Sequence, residues 1–197
     1  MGAGRSAPES LDRQTARNVQ TRIRKARRAD SSELTRIAHT AKRFWGYNES
    51  MIRLWKSDLT VTPAFVADHP VYCAVQGSQV VGFYALSGER VTRELEHMWV
   101  DPKHMGCGVG RLLFSHLLGH LRRNRVTRLM IASDPNAEGF YRRLGARRVG
   151  KVASRPAGRH LPLLVIRLRP SRRSNQAFQR TGRRLSHLGG TPRAAVR

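Results

Sequence analysis

The densest chemical signal in this 197-residue chain is the run Met105-Gly106-Cys107-Gly108-Val109-Gly110-Arg111, where a β-like stretch hands over to an amphipathic helical one. Glycines let a backbone approach a ligand closely, and the first amides of a helix have no carbonyl one turn back to bond. Several such N–H groups in one concavity, with the helix dipole behind them, make a pyrophosphate site, and Arg111 can add charge. Two other phosphate loops are excluded. A P-loop would end in Gly-Lys-Ser/Thr, whereas Gly110 is followed by Arg111 and Leu112. A dinucleotide fingerprint needs G-x-G-x-x-G, and the spacing here is G-x-G-x-G. The candidate phosphate-binding residues are therefore Met105, Gly106, Cys107, Gly108, Val109, Gly110 and Arg111.

The elements that must position this turn are legible in the apolar pattern. A short strand runs from Ile23 to Asp30, and Asp30 with Glu33 resembles a capping box opening a helix that carries Leu34, Ile37, Ala38 and Ala41. A second helix is expected over Ser50–Asp58, and Thr62–Pro63 opens a short third one to about Asp68. Period-two alternation then predicts a hairpin, VYCAVQ and QVVGFYALSG around Gly77–Ser78, and a strand over Thr92–Val100. Beyond the glycine turn come a helix with Leu113, Leu117 and Leu121 on one stripe, the buried strand VTRLMIAS, and the helix PNAEGFYRRLG closed by Gly145. Strands over Arg147–Ala153 and Leu161–Leu168 finish the order. The expectation is an α/β fold of mixed α+β type: a mostly antiparallel sheet of six to seven strands flanked by about four helices.

Residues 1–20 are polar and aperiodic, and 170–197 carry seven arginines and no acid. Both are expected to be disordered extensions of a domain spanning 21–169. The net charge is +24, of which residues 21–169 hold +16, so the folded part is itself basic. Such a surface attracts polyanions, including weakly and non-specifically bound nucleic acid. Cys73 and Cys107 read as reduced thiols, the eight histidines are dispersed, and no metal site is expected. Without a signal-like or membrane-spanning stretch, the expectation is a cytoplasmic monomer or homodimer with no membrane contact.

LEHMWVDP followed by GCGVGRLL, together with PNAEGFYRRLGA and the order of elements, resembles the GNAT superfamily of N-acetyltransferases over roughly Ile23–Leu168. The segments Phe44-Trp45-Gly46-Tyr47 and Gly158-Arg159-His160-Leu161-Pro162 are also similar to stretches in family members. The resemblance implies that the glycine turn holds the pyrophosphate of acetyl-CoA, with Gly108 and Gly110 at the family's glycine positions and Met105 where Gln or Arg is usual. It implies that the strand ending at Val100 splays from its neighbour at a bulge and offers Met98 and Val100 as main-chain partners of the pantetheine arm. It further implies that Asn136 contacts CoA and that Tyr141 protonates the departing thiolate.

Transfer of an acetyl group to a primary amine, by direct attack in a ternary complex, needs a base for the amine and a donor for the carbonyl oxygen. Glu96 is the candidate base, on the strand beside the acyl site, with Glu94 on the same face in reserve. His97 alternates to the opposite face and is expected to be packed. The Met98 N–H is the candidate oxyanion donor. Trp45, Tyr47 and Trp55 could line the pocket for a small-molecule or peptide amine. The alternative is a catalytically silent relative on the same fold that senses acyl-CoA or binds nucleic acid or the ribosome.

Overall fold

A computed structural model describes residues 20–169. The expected disordered extensions, apart from Gln20, lie outside the described residues. The elements are β1 (Thr21–Lys25), α1 (Ser31–Phe44), α2 (Glu49–Leu54), α3 (Lys56–Leu59), α4 (Pro63–Asp68), β2 (Val71–Gln76), β3 (Gln79–Ser87), β4 (Thr92–Val100), α5 (Val109–Arg123), β5 (Arg128–Ala132), α6 (Pro135–Arg143), β6 (Arg147–Ala153) and β7 (His160–Arg167). Short 3₁₀ turns occupy Arg28–Asp30 and Pro102–His104. The seven strands lie in the order β1-β2-β3-β4-β5-β7-β6, and every pairing is antiparallel except β4 with β5.

The sheet is buried on both faces at its centre, which is why β3 reads as a continuous apolar run rather than an alternating one. Val81, Tyr84 and Leu86 pack beneath α5 with Leu113, Phe114, Leu117 and Leu121. Phe83 and Ala85 turn to the other face, against Leu34, Ile37 and Ala38 of α1 and the short helices that follow. Burying a Leu or Ile side chain stabilises by about 1.5–3 kcal/mol, so these two stripes anchor α1 and α5 to the sheet.

Several local expectations hold. The Thr62 hydroxyl accepts the Phe65 N–H at 3.0 Å with Pro63 at the first helical position, and Gly145 ends α6 at φ +95°. Three others are corrected. The first strand stops at Lys25, because the chain turns there. The Asp30 carboxylate accepts the Arg27 N–H at 2.7 Å and binds Arg24, so it is not free to cap α1 and the capping box does not form at Glu33. The helix expected over Ser50–Asp58 divides at Trp55, whose backbone leaves helical values. With that division, the described residues hold six α-helices rather than about four.

Candidate active site

The β4 strand carries the first feature that opens a site. Leu86 faces Leu95 but Ala85 faces His97, so Glu96 is an extra residue in β4, a β-bulge. The bulge resets the alternation. Leu95 and Met98 both pack toward the α5 side, while His97 and Trp99 pack toward α1 and α4. Just before it, β4 pairs with β5 only through Thr92, Arg93 and Glu94, and then the two strands part. The Asp101 N–H donates to the Val81 carbonyl at 2.9 Å. Hydrogen bonding alternates along an antiparallel pair. Trp99 therefore bonds Phe83, and Met98 and Val100 turn their N–H and C=O groups away from β3, into the splay.

The second feature is the glycine turn. Gly106 and Gly108 stand at φ +76° and +84°, where a side chain would be strained, and an added Cβ at either would meet nothing within 4 Å. The loop thus presents bare backbone on an open side. The first helical hydrogen bond of α5 runs from the Leu112 N–H to the Gly108 carbonyl at 3.0 Å. The amides of Val109, Gly110 and Arg111 precede it and are available to an anion. At Gly110 an added Cβ would rest in ordinary contact with the Phe140 ring, 3.5 Å away. This cradle and the adjacent splay suit a pyrophosphate followed by an extended arm.

Both features open on one cleft of about 1080 Å³. Of the residues expected from sequence, Glu96, Met98, Val100, Met105, Gly106, Gly108, Gly110, Arg111, Asn136 and Tyr141 line it, as does Glu94. Cys107 is exposed outside it, its thiol toward the Met105 carbonyl, and the Val109 side chain is buried in the core beneath α5. Tyr141 is buried between Phe114 and Phe140, with ring centroids 5.7 and 5.2 Å away. Burial pushes its hydroxyl well above the ordinary phenol range, reinforced by Asp134, so it stays protonated. Glu96 is exposed and accepts the Ser87 hydroxyl at 2.9 Å. His97 is buried, its Nδ1 accepting the Trp99 indole N–H at 3.2 Å, and burial holds its pKa below that of a free imidazole. It is a packed, neutral histidine, as expected.

At the other end of the cleft Trp45 and Trp55 line it as expected, but sequence reasoning missed the charged pair beside them. Lys42, on α1, is buried and ion-paired with Asp134, which also accepts the Asn136 N–H at 3.0 Å and so caps α6. Burial lowers the Lys42 pKa, against the opposing pull of Asp134. For Asp134 burial acts upward, but the Lys42 contact and the Asn136 amide outweigh it and hold the carboxyl below its usual range. Around the ammonium stand the rings of Tyr47, Trp55 and Trp99, at 4.5, 4.7 and 5.7 Å. Arg159 lies over Trp55 at 4.6 Å and donates to the Tyr47 hydroxyl at 3.3 Å. The two segments singled out in sequence, around Tyr47 and around Arg159, therefore meet. The β6–β7 loop is docked there by Trp55 Nε1 donating to the Arg155 carbonyl at 2.8 Å, and by Arg155 on Asp58.

The family model for the acetyltransferase (GNAT) domain matches residues 61–164, which contain the bulge, the glycine turn and Tyr141. The chain belongs to the GNAT acetyltransferase family. As a GNAT enzyme it is an N-acetyltransferase whose acyl donor is acetyl-CoA. It is similar to the peptidyl-lysine N-acetyltransferase YjaB of Escherichia coli, 29% identical over 146 residues that span 73% of this chain and 94% of that protein. Its fold matches the PaiA N-acetyltransferase of Thermoplasma acidophilum in complex with coenzyme A, at a TM-score of 0.66 and 16% identity over 75% of this chain and 99% of that one. A GNAT acetyltransferase of Staphylococcus aureus matches at 0.61 and 14% identity, covering 76% and 100%. Among the described residues no helix is long and apolar enough to cross a membrane, and no group of His, Cys, Asp or Glu could hold a metal ion.

Proposed function

We propose that this GNAT enzyme acetylates the side-chain amine of lysine in a peptide or protein, and that its acid–base machinery is Glu96 and Tyr141. The observation that carries this reading is the unpaired splay after Glu94, with the glycine cradle at one end and Tyr141 on its wall. Acetyl-CoA supplies the activated thioester. The amides of Gly106–Arg111 and the Arg111 guanidinium hold its phosphates, Asn136 adds a polar contact, and Met98 and Val100 pair with the extended arm as an added strand would. The Met98 N–H faces the carbonyl oxygen as charge develops there. Glu96 takes the proton of the attacking amine, directly or through water, and Tyr141 gives its proton to the departing sulfur.

The name of the YjaB relative supports a lysine acceptor, and the aromatic walls Trp45 and Trp55 suit the apolar stem of such a side chain. The same reading assigns residues 21–169 to the acetyltransferase domain, with 1–20 and 170–197 as extensions. It places the protein in the cytoplasm, as a monomer or homodimer. The charge of +24 supports auxiliary, salt-sensitive contact with nucleic acid. The test is thiol release from acetyl-CoA against a panel of lysine peptides, polyamines and free amino acids. Turnover confined to polyamines would overturn the lysine reading.

A further inference from the structure

One end of the cleft holds more positive charge than its own carboxylates neutralise. Asp134 is committed to Lys42, and Arg159 stands farther off, its Nη2 3.8 Å from the same Oδ2 atom. Asp58, which also lines the cleft, is engaged by Arg155 at 2.5 Å. The hydrogen-bond partners of the Arg159 guanidinium are neutral: Ser154 Oγ at 2.8 Å and the Tyr47 hydroxyl at 3.3 Å. Its plane rests on Trp55, its side chain is 16% exposed, and it lines the cleft. A guanidinium oriented by neutral partners, backed by an indole and facing a cleft keeps directed donors for a planar anion.

Elsewhere in the same cleft, Glu94 and Glu96 are exposed and form no ion pair among the described residues. The cleft is thus polarised, with carboxylates outside any ion pair on β4 and, around Asp134, two cations, Lys42 and Arg159, sharing one carboxylate. A purely cationic acceptor would meet the surplus positive charge left around Asp134, on top of the whole protein's +24. A dipolar acceptor would be satisfied at both places.

Resting on the acetyl-transfer reading above, we propose that Arg159 seats a carboxylate carried by the acceptor, so that the preferred substrates are amines with an acid group nearby. That carboxylate has two sources: an Asp or Glu beside the acceptor lysine in a peptide, or the α-carboxylate of a free amino acid.

The test is thiol-release kinetics with acetyl-CoA and two matched pairs of acceptors. The first pair is a capped lysine peptide with Glu beside the lysine and its Gln counterpart. The second is free lysine and its amide. The expected result is an acid-to-neutral ratio in kcat/KM of at least about tenfold in one pair, the scale of one charge-assisted hydrogen bond. The pair that shows it identifies the source. Arg159→Gln should bring that ratio toward one, and Arg159→Glu should reverse it in favour of an Arg-flanked peptide. Turnover with ratios near one in both wild-type pairs would overturn the inference and leave acetyl transfer standing. Absence of turnover with all four would remove the acceptor reading, and this inference with it. The wild-type ratios decide the matter even if a variant fails to fold, which a thermal melt reports.

Discussion

Lys42 and Asp134, ninety-two residues apart, form a buried ion pair that ties helix α1 to the N-terminus of α6, the helix that carries Tyr141. One contact thereby fixes the acceptor wall to the element holding the proposed acid. Removing one partner of a buried pair leaves an uncompensated charge, which costs about 3–5 kcal/mol. Arg159, 3.8 Å from the same carboxylate, offsets part of this. Lys42→Met should therefore destabilise by about 2–4 kcal/mol in urea unfolding, given that range. A loss below about 0.5 kcal/mol, the scale of an ordinary surface substitution, would mean that the pair is structurally idle.

The same pair sets a pH dependence. Asp134 has a folded-state pKa below its unfolded value, so its stabilisation is present above about pH 4 and lost as pH falls through the folded pKa. Lys42 has a depressed pKa, so the unfolded state binds its proton more tightly, and stability rises as pH climbs toward the unfolded value near about 10.4. Midpoint denaturant concentrations across pH 2–11 check both limbs. In Asp134→Asn the acid limb should flatten; an unaltered acid limb would assign it to other carboxylates.

Much of this architecture was readable because its determinants are local. The glycine turn is seven adjacent residues, its function resides in backbone, and Gly108 declares its φ by being glycine. The cap at Thr62–Pro63 and the stop at Gly145 are equally local. The Lys42–Asp134–Arg159 cluster was not legible, because its members come from α1, the start of α6 and the β6–β7 loop. Nothing near Lys42 distinguishes it from the other basic residues. Asp30 was misread for a related reason: it satisfies the local rule for a cap, but Arg24 and the Arg27 amide compete for its carboxylate. The family resemblance implied a bulge in the strand ending at Val100, but the period-two pattern gave no residue for it, and the structure puts it at Glu96.

Tyr141 should act on chemistry rather than on binding. Tyr141→Phe removes a hydroxyl that makes no hydrogen bond among the described residues, so the fold should tolerate it. The expected change is a fall in kcat of about 10²-fold, the lower end for general acid catalysis. CoA affinity should stay within about threefold of wild type, since a fall in kcat with unchanged binding marks an interaction made only in the transition state. Because burial raises the hydroxyl's pKa, ionisation of Tyr141 should impose no loss of activity as pH rises to 10. Unchanged turnover in the Phe variant would remove Tyr141 from the mechanism.

Gly82 controls the strand that borders the splay. A Cβ there would lie 2.8 Å from the Trp99 carbonyl oxygen and 3.2 Å from Leu113 Cδ1, so backbone must move. Gly82→Ala should cost about 1–3 kcal/mol, as overpacking does. It should also weaken CoA binding, because β3 sets where β4 presents Met98 and Val100. Thermal melts and calorimetry separate the two effects, and a variant as stable as wild type would refute the close packing.

Amide hydrogen exchange with and without CoA reads the backbone on which the donor site depends. Binding should slow exchange at Met98, Val100, Val109, Gly110 and Arg111, while the amides of β6 stay as they were. If CoA binds and the exchange of those five amides is unaltered, the donor lies elsewhere and the site described above is wrong.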